Sequence, residues 1–520
     1  MTDADRQFCP YLLKAERIIG LLMIEWTSFF AGACQLLNLQ IILLMIAGIF
    51  FGILCGAIPG FSASMAVVVV LPLTFSMEPL VAMVFLCSIY VAAVYGGSIT
   101  AILINTPGTA NSAATSFDGY PMTLQGRAGE ALGLSIGASC IGGVISYGFM
   151  LVLMYPIAAF AVKFGSAEMF LLAVFGLTII GGISEGGLSK ALLAGLFGVI
   201  VSTVGIFPAG SIRGHFGSPW LLDGLPTVPT IIGFFALSEM FNMLNKDFVV
   251  EGTNVKRSVK EIVKGTLKPL KSPGNLFRSS LIGTFIGAVP AAGGTIASFI
   301  SYNQAKQASK DPDSFGKGNP EGVIASESSN NASTGGALIT MFALGIPGSS
   351  TTAIMMSALM IQGLQPGPQL FMNQMPLVYA IIIALFLSQV VMWIAGVMFS
   401  YSLSGVLNVS TKILVPVISV LCMMGAFAIR KSMFDCVLVL IFGIIGYLMK
   451  KNGYPTIATV LGIILGPIAD TNLIRTTIRF QGDYSVFFTR PICIGLLILT
   501  AAGILVPIIM RKRRESGRAS

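Results

Sequence analysis

Apolar residues fall along this chain in long blocks divided by short polar clusters. The blocks 41–58, 377–399, 435–449 and 492–510 each approach the roughly 20 residues that carry an α-helix across a bilayer. A spanning barrel would show short alternating strands instead, and none are evident. The pattern predicts an all-α polytopic membrane protein of about 12 helical segments by that length criterion.

Several of the blocks are interrupted by Gly and Pro, and the interruptions occur twice in the same order. GILCGAIPG (residues 52–60) precedes YGGSITAILINTPGTANSAA (95–114), and GTFIGAVPAAGG (283–294) precedes GGALITMFALGIPGSSTTA (335–353). Gly52, Gly56, Ala57 and Pro59 pair with Gly283, Gly287, Ala288 and Pro290. Gly96, Ile99, Thr100, Pro107 and Gly108 pair with Gly336, Ile339, Thr340, Pro347 and Gly348. Paired, broken hydrophobic segments are the sequence sign of an internally duplicated transporter whose site lies where the breaks expose backbone. Nothing in the similarity itself gives the relative orientation of the repeats; inversion is expected because inverted repeats commonly build such sites.

The breaks divide the chain into an N-terminal lead with a first apolar segment (1–38), a first transmembrane repeat (39–245), a basic connector (246–278), a second repeat (279–510) and a basic tail (511–520). The second repeat is longer between its two motifs, with 46 positions from Pro290 to Gly336 against 37 from Pro59 to Gly96. The polar stretch 303–322 accounts for the excess and reads as an exposed loop.

Composition sharpens the class. The 520 residues are 55% hydrophobic and 10% charged, well below the charged share of a soluble domain. A net charge of +9 does not signal nucleic acid, because the basic residues lie in short clusters between spans. From Lys246 to Arg278 there are eight basic residues against three acidic ones, and the tail carries RKRR at 511–514. Both are expected on the cytoplasmic side of the membrane. With both ends of the second repeat cytoplasmic and about seven apolar segments between them by span length, one segment should enter and return without crossing. Residues 1–26 lack the features of a secretory signal; they read as a short surface segment or as sequence upstream of a start at Met23. The eight cysteines show no C-x-x-C spacing and read as small core residues, and His215, the single histidine, leaves no basis for a histidine metal site. No cofactor is expected.

Candidate chemistry gathers at the breaks. Proline removes a backbone N–H and disfavours the helical conformation of the residue before it, so the freed groups must be buried in protein or face a wet cavity. Around them stand Pro59, Gly60, Ser62 and Ser64; Asn105, Thr106, Pro107, Gly108, Thr109 and Asn111; Gly293, Gly294 and Thr295; and Pro347, Gly348, Ser349, Ser350 and Thr351. A helix restarting after each break points unpaired N–H groups and its positive dipole end at the space in front, which suits a small anion. The competing reading is that these hydroxyls only satisfy backbone at packing kinks. A second group, Glu327, Asn330 and Asn331 with Thr334, occupies one helical face. It could bind a coupling cation, H+ or Na+, or be a solvated helix start. Its counterparts in the first repeat are Cys87, Tyr90, Val91 and Val94, so this chemistry is one-sided. Asp118 is read as opening a turn, and Arg127 with Glu130 as a local ion pair.

GILCGAIPG, YGGSITAILINTPG, DGYPMTLQGRAGEALG, EGVIASESSNNASTGG, LGIPGSSTTA and QGLQPGPQLF, in this order, make the chain resemble the large membrane subunit of the tripartite tricarboxylate transporters, the TctA-type family. The resemblance covers the chain after about residue 25. It implies secondary uptake of a small carboxylate, such as citrate or a related di- or monocarboxylate, driven by an H+ or Na+ gradient. It also implies two partners, a small membrane subunit and a periplasmic solute-binding protein. The alternatives are a transporter of amino acids or sugars and, from another class, a membrane enzyme acting on lipid-linked substrates. The near absence of Asp and Glu from the apolar spans argues against the enzyme.

Overall fold

The structure is a computed structural model that describes residues 25–59, 61–183, 188–206, 212–243, 258–290, 293–402 and 411–502. Six helices among the described residues are long and apolar enough to cross a membrane, and six shorter apolar helices accompany them. That total agrees with the dozen segments expected. A single two-stranded ribbon, Gly205–Ile206 with Ile212–Arg213, is the sheet content among the described residues.

After a short first helix, α1 (Trp26–Gln35), one sequence of elements occurs twice. In the first half a helix α2 (Leu39–Ala57) breaks and restarts as α3 (Ala63–Val70). The long α4 (Pro79–Ile104) then breaks and restarts as α5 (Ala113–Leu124), and α6 (Ala128–Ala161) follows. Toward the periphery come α7 (Ser166–Ile183), α8 (Leu188–Ser202), α9 (Thr227–Ile232) and α10 (Ser238–Met243), the last two joined by a π-helical turn. The connector, described from Ser258, is itself helical: α11 (Val259–Thr266) lies along α6. In the second half α12 (Pro273–Gly287) and α13 (Gly293–Ala308) repeat the first broken pair, and α14 (Pro320–Leu344) and α15 (Ser350–Ile361) repeat the second. Then follow α16 (Pro368–Asn373), α17 (Met375–Ser402), α18 (Thr411–Arg430), α19 (Met433–Lys451), α20 (Thr456–Arg479) and α21 (Val486–Thr489).

The two halves share packing register as well as order. Small residues let helix backbones touch where lipid provides no hydrophobic drive. Gly56 of α2 lies so close to α4 that a Cβ there would stand 2.1 Å from the carbonyl oxygen of Ala93. At the matching positions, Gly287 of α12 would meet the carbonyl oxygen of Ser333 in α14 at 2.2 Å. Contacts along α2 rise with those along α4, from Gly48 against Phe85 to Gly52 against Ile89 and Gly56 against Ala93, so these neighbours run in the same direction. Parallel neighbours need a chain reversal between them, and α3 and α13 supply it.

Contacts between α4 and α14, the equivalent long helices of the two halves, run in opposite order. Ser98 meets Glu327, Val94 meets Asn330, and Tyr90 meets Ser349 beyond the end of α14. Helix α6 runs with α14, from Ser139 at Glu327 through Ser146 at Ala332 to Tyr147 at Thr334. Around this centre the peripheral helices are exchanged between halves: α8 packs on α20, and the α9–α10 segment packs on α19.

Candidate functional site

Each break is built by local chemistry that the sequence announces. Helix α4 ends with Asn105 in the left-handed conformation at φ 54°, and α14 ends with Gly345 at φ 70°. Matching bonds close the two ends, from Thr106 N–H to the Thr100 carbonyl and from Ile346 N–H to the Thr340 carbonyl. The chain then doubles back. Gly108 N–H donates to the carbonyl of Gly97 at 3.0 Å, two turns before the end of α4, so α5 begins inside the protein. A Cβ at Gly108 would lie 2.0 Å from the carbonyl oxygen of Gly56, and one at Gly348 would lie 2.6 Å from that of Gly287. These glycines therefore permit close backbone approach. The restarts are capped as their residue types predict: Ser62 accepts from Met65 N–H at 3.3 Å, and Ser349 forms a reciprocal capping box with Thr352.

The breaks come together in pairs drawn from opposite halves. The Asn111 side-chain carbonyl, in the turn leading into α5, accepts from the Thr295 hydroxyl of α13 at 2.7 Å. Gly294 faces both the Asn111 amide and the Ser333 hydroxyl, and a Cβ on Gly294 would stand 2.5 and 2.7 Å from them. Beside it, Gly293 adopts φ 66° with no atom of the described residues within 4 Å of its Cβ position, so open space among them adjoins the meeting point. Asn111 and Thr295 are both half-buried. On the other side the restarts α3 and α15 pack together, and Ser349 contacts the Tyr90 hydroxyl at 3.2 Å.

The remaining candidates distribute around these two meeting points. Ser62 and Ser64 bond each other at 2.8 Å at the start of α3, with Pro59 in the turn before them, while Gly60 lies outside the described residues. Thr109 packs on Gly97, Pro347 and Thr351 are buried, and Ser350 is half-buried. Asn105 and Thr106 are exposed at the end of α4, with the Thr106 hydroxyl turned to the Ile104 carbonyl. A groove of about 390 Å³ lined by α6, the α11 region and α17 includes Val144, Leu270 and Trp393 and none of the candidates.

Glu327 is fully buried in α14, so the reading of a solvated helix start is corrected: α4, α5, α6 and α12 enclose this stretch. Its carboxylate accepts four hydroxyls. Ser98 of α4 at 2.6 Å and Thr115 of α5 donate to one oxygen; Ser135 at 3.1 Å and Ser139 at 2.8 Å, both of α6, donate to the other. The two carboxylate oxygens are thus saturated by neutral donors. One turn on, Asn330 donates to the Val94 carbonyl at 3.4 Å, and the side-chain oxygens of Asn330 and Asn331 have no hydrogen-bond partner among the described residues. Among the described residues no three His, Cys, Asp or Glu side chains group as metal ligands. The donors around Glu327 are all neutral hydroxyls with hard oxygen atoms.

Asp118 corrects another expectation. It does not open a turn but sits buried within α5, and one of its oxygens accepts the N–H groups of Gly316, Gly318 and Asn319 at 2.8–2.9 Å. The other accepts the Tyr302 hydroxyl at 2.9 Å. The polar loop ahead of α14 is thereby anchored to the first half. Arg127 and Glu130 do pair, at 2.9 Å, and Lys268 joins them at 2.6 Å, tying the connector to α6. Sequence reasoning missed Ser98, Ser135 and Ser139. The one available signal was the i, i+4 spacing of Ser135 and Ser139 within an apolar span, a polar stripe that needs a partner.

The model of the tripartite tricarboxylate transporter TctA family matches residues 42–461, which contain every motif described above. An uncharacterized 52.8 kDa protein in the TAR-I ttuC' 3' region of Agrobacterium vitis is 33% identical over 473 residues, 90% of this chain and 93% of its own length. An uncharacterized protein in the TAR-II ttuC' 3' region of the same organism is 33% identical over 235 residues, 45% of this chain and 97% of its own. No solved structure matches the chain.

Proposed function

Because the chain belongs to the tripartite tricarboxylate transporter TctA family, we propose that it is the large membrane subunit of a secondary active system that takes up a small carboxylate. The observation that carries this reading is the contact between Asn111 and Thr295. It joins two helix restarts from opposite halves beside the open space at Gly293. Helix starts offer N–H groups and a partial positive charge to an anion, each contributing about 0.3–2 kcal/mol. The four break motifs contain no Lys or Arg, so hydroxyls, amides and backbone N–H groups supply the recognition. Asn111, Thr295 and Ser333 meet at Gly294, next to that space, and Ser62, Ser64, Ser349, Ser350 and Thr351 form the corresponding set on the other side.

Glu327, with Asn330 and Asn331 beside it, is the coupling-ion site. An inside-negative potential opposes anion entry by about 2.3 kcal/mol per charge per 100 mV, so uptake of a di- or trianion requires inward movement of H+ or Na+. The repeats are related by inversion, a reading supported by the opposed contact order of α4 and α14. The system works in the bacterial inner membrane with a small membrane subunit and a periplasmic binding protein. Exposed Lys260, Lys264 and Lys271 on the connector favour a cytoplasmic face for it.

The test is uptake of labelled citrate into vesicles holding this chain with both partner subunits, under an imposed Na+ or pH gradient. A panel of carboxylates should compete and neutral amino acids and sugars should not. Equal competition by neutral solutes would overturn the carboxylate assignment.

A further inference from the structure

Asn111 stands in the tight turn that leads into α5, and Thr115 and Asp118 of α5 follow it at intervals of four and three residues. Each reaches a different part of the second half. Asn111 bonds Thr295 at the meeting of the restarts, Thr115 donates to Glu327 and lies 3.0 Å from the Ser326 hydroxyl, and Asp118 anchors the loop ahead of α14. This short helix and the turn that leads into it therefore touch both the anion-facing space and the buried carboxylate.

Helix α14 also carries residues at both places, but its backbone is held. Gly142 of α6 and Gly283 and Gly287 of α12 bring their backbones so near that Cβ atoms there would lie 2.2–2.3 Å from α14 carbonyl oxygens. Close-packed contacts of this kind resist continuous sliding. By contrast α5 follows a non-helical stretch, residues 105–109, and a single tight turn, Ala110–Ser112. Gly108 in that stretch is itself close-packed on Gly56, but beyond it the tight turn and the start of α5 meet the second half through the side chains of Asn111 and Thr115 and not through touching backbone.

We propose that α5 transmits the occupancy of Glu327 to the carboxylate-binding space, with Thr115 as the positioning residue that carries the link. The proposal rests on reading the Asn111–Thr295 meeting point as part of the substrate site. A proton or cation arriving at the carboxylate oxygen that Thr115 now serves requires the Thr115 hydroxyl to cease donating and to present its lone pair instead. The Thr115 side chain shifts to make room for the arriving ion, with the Ser326 hydroxyl oxygen 3.0 Å away as its new acceptor, and carries with it the start of α5 and, four residues earlier, the setting of Asn111. Ser135 and Ser139 bond the other carboxylate oxygen from α6, which contributes nothing at Asn111. They sense the ion without passing it on, and so provide an internal control.

The experiment measures citrate affinity in the full three-component assembly while Na+ is titrated at fixed pH and, separately, pH at fixed Na+. Reciprocal linkage requires that an ion coupled to the substrate change citrate affinity, here expected to be about ten-fold in the wild type. Thr115→Val should flatten that change to less than about two-fold, and Thr115→Ser should restore it. Ser139→Ala should displace the ion midpoint and keep the whole change. A Thr115→Val protein that keeps the full change, or a Ser139→Ala protein that flattens it equally, overturns the proposal. If Thr115→Val is not recovered folded, Thr115→Ala, which adds no atoms, is held to the same two outcomes. A wild-type assembly that binds no carboxylate defeats the functional reading itself, whereas one that binds citrate without regard to either ion defeats the link alone.

Discussion

Substituting Glu327 separates the ion site from the framework around it. In Glu327→Gln one oxygen still accepts two hydroxyls, while the other becomes an amide that donates, so two of the four hydroxyls must rotate to accept. Hydrogen bonds to a charged group contribute about 1.5–3 kcal/mol each against about 0.5–1.5 for neutral ones. The weakening is offset because a buried charge no longer has to be desolvated. The net change in stability should therefore stay within about 2 kcal/mol. Glu327→Ala is different. It leaves the hydroxyls of Ser98, Thr115, Ser135 and Ser139 facing a void. At about 1–3 kcal/mol for each unpaired group the cost reaches roughly 4–12 kcal/mol, reduced to the extent that they turn back to their own helix carbonyls. Thermal unfolding in detergent, paired with gradient-driven citrate uptake, reads both consequences. The Gln variant should unfold near the wild type yet lose its response to the ion gradient, and the Ala variant should be plainly less stable. A Gln variant with undiminished gradient response, or an Ala variant as stable as the Gln one, would refute the reasoning.

Other substitutions test the framework. Gly108→Ala should lower the unfolding temperature, because its Cβ meets the Gly56 carbonyl oxygen at 2.0 Å and overpacking costs about 1–3 kcal/mol or more. Gly148→Ala, with nothing within 4 Å in the middle of α6, should be neutral or stabilising by up to about 1 kcal/mol; the reverse order would contradict the packing argument. Asp118→Ala deprives three backbone N–H groups of their acceptor and should speed trypsin cleavage after exposed Lys317, followed by gel, whereas an unchanged rate would mean the loop is held by something else. Arg430→Met leaves the buried carboxylate of Asp435 without its bidentate partner and should destabilise by about 3–5 kcal/mol, measured by thermal unfolding; wild-type stability would show that the pair contributes nothing.

Where sequence reasoning succeeded, the cause was local. Pro59, Pro107 and Pro347 stand at helix breaks beside glycine, whereas Pro121, Pro156, Pro416 and Pro467 lie inside helices, and Ser62 and Ser349 cap the restarts because the first turn needs an acceptor. The Arg127–Glu130 pair follows from helical spacing alone. Where it fell short, the decisive contact was remote. Asp118 looks like a turn residue among Gly, Tyr and Pro, yet its partners lie about 200 positions away in another helix and loop. The hydroxyls around Glu327 are ordinary span residues until α4, α5 and α6 bring them to one carboxylate.

By itself the amino-acid order determined the membrane class, the helical build, the duplication and the places where helices stop, since apolar length and the backbone chemistry of Gly and Pro act within a few residues. Only the tertiary structure decided which break faces which, that α4 and α14 meet in opposed order, and that Glu327 is buried. Those outcomes depend on backbone surfaces fitting across separations of 184 to 259 residues. Neither periodicity nor spacing along a single strand of sequence records that fit.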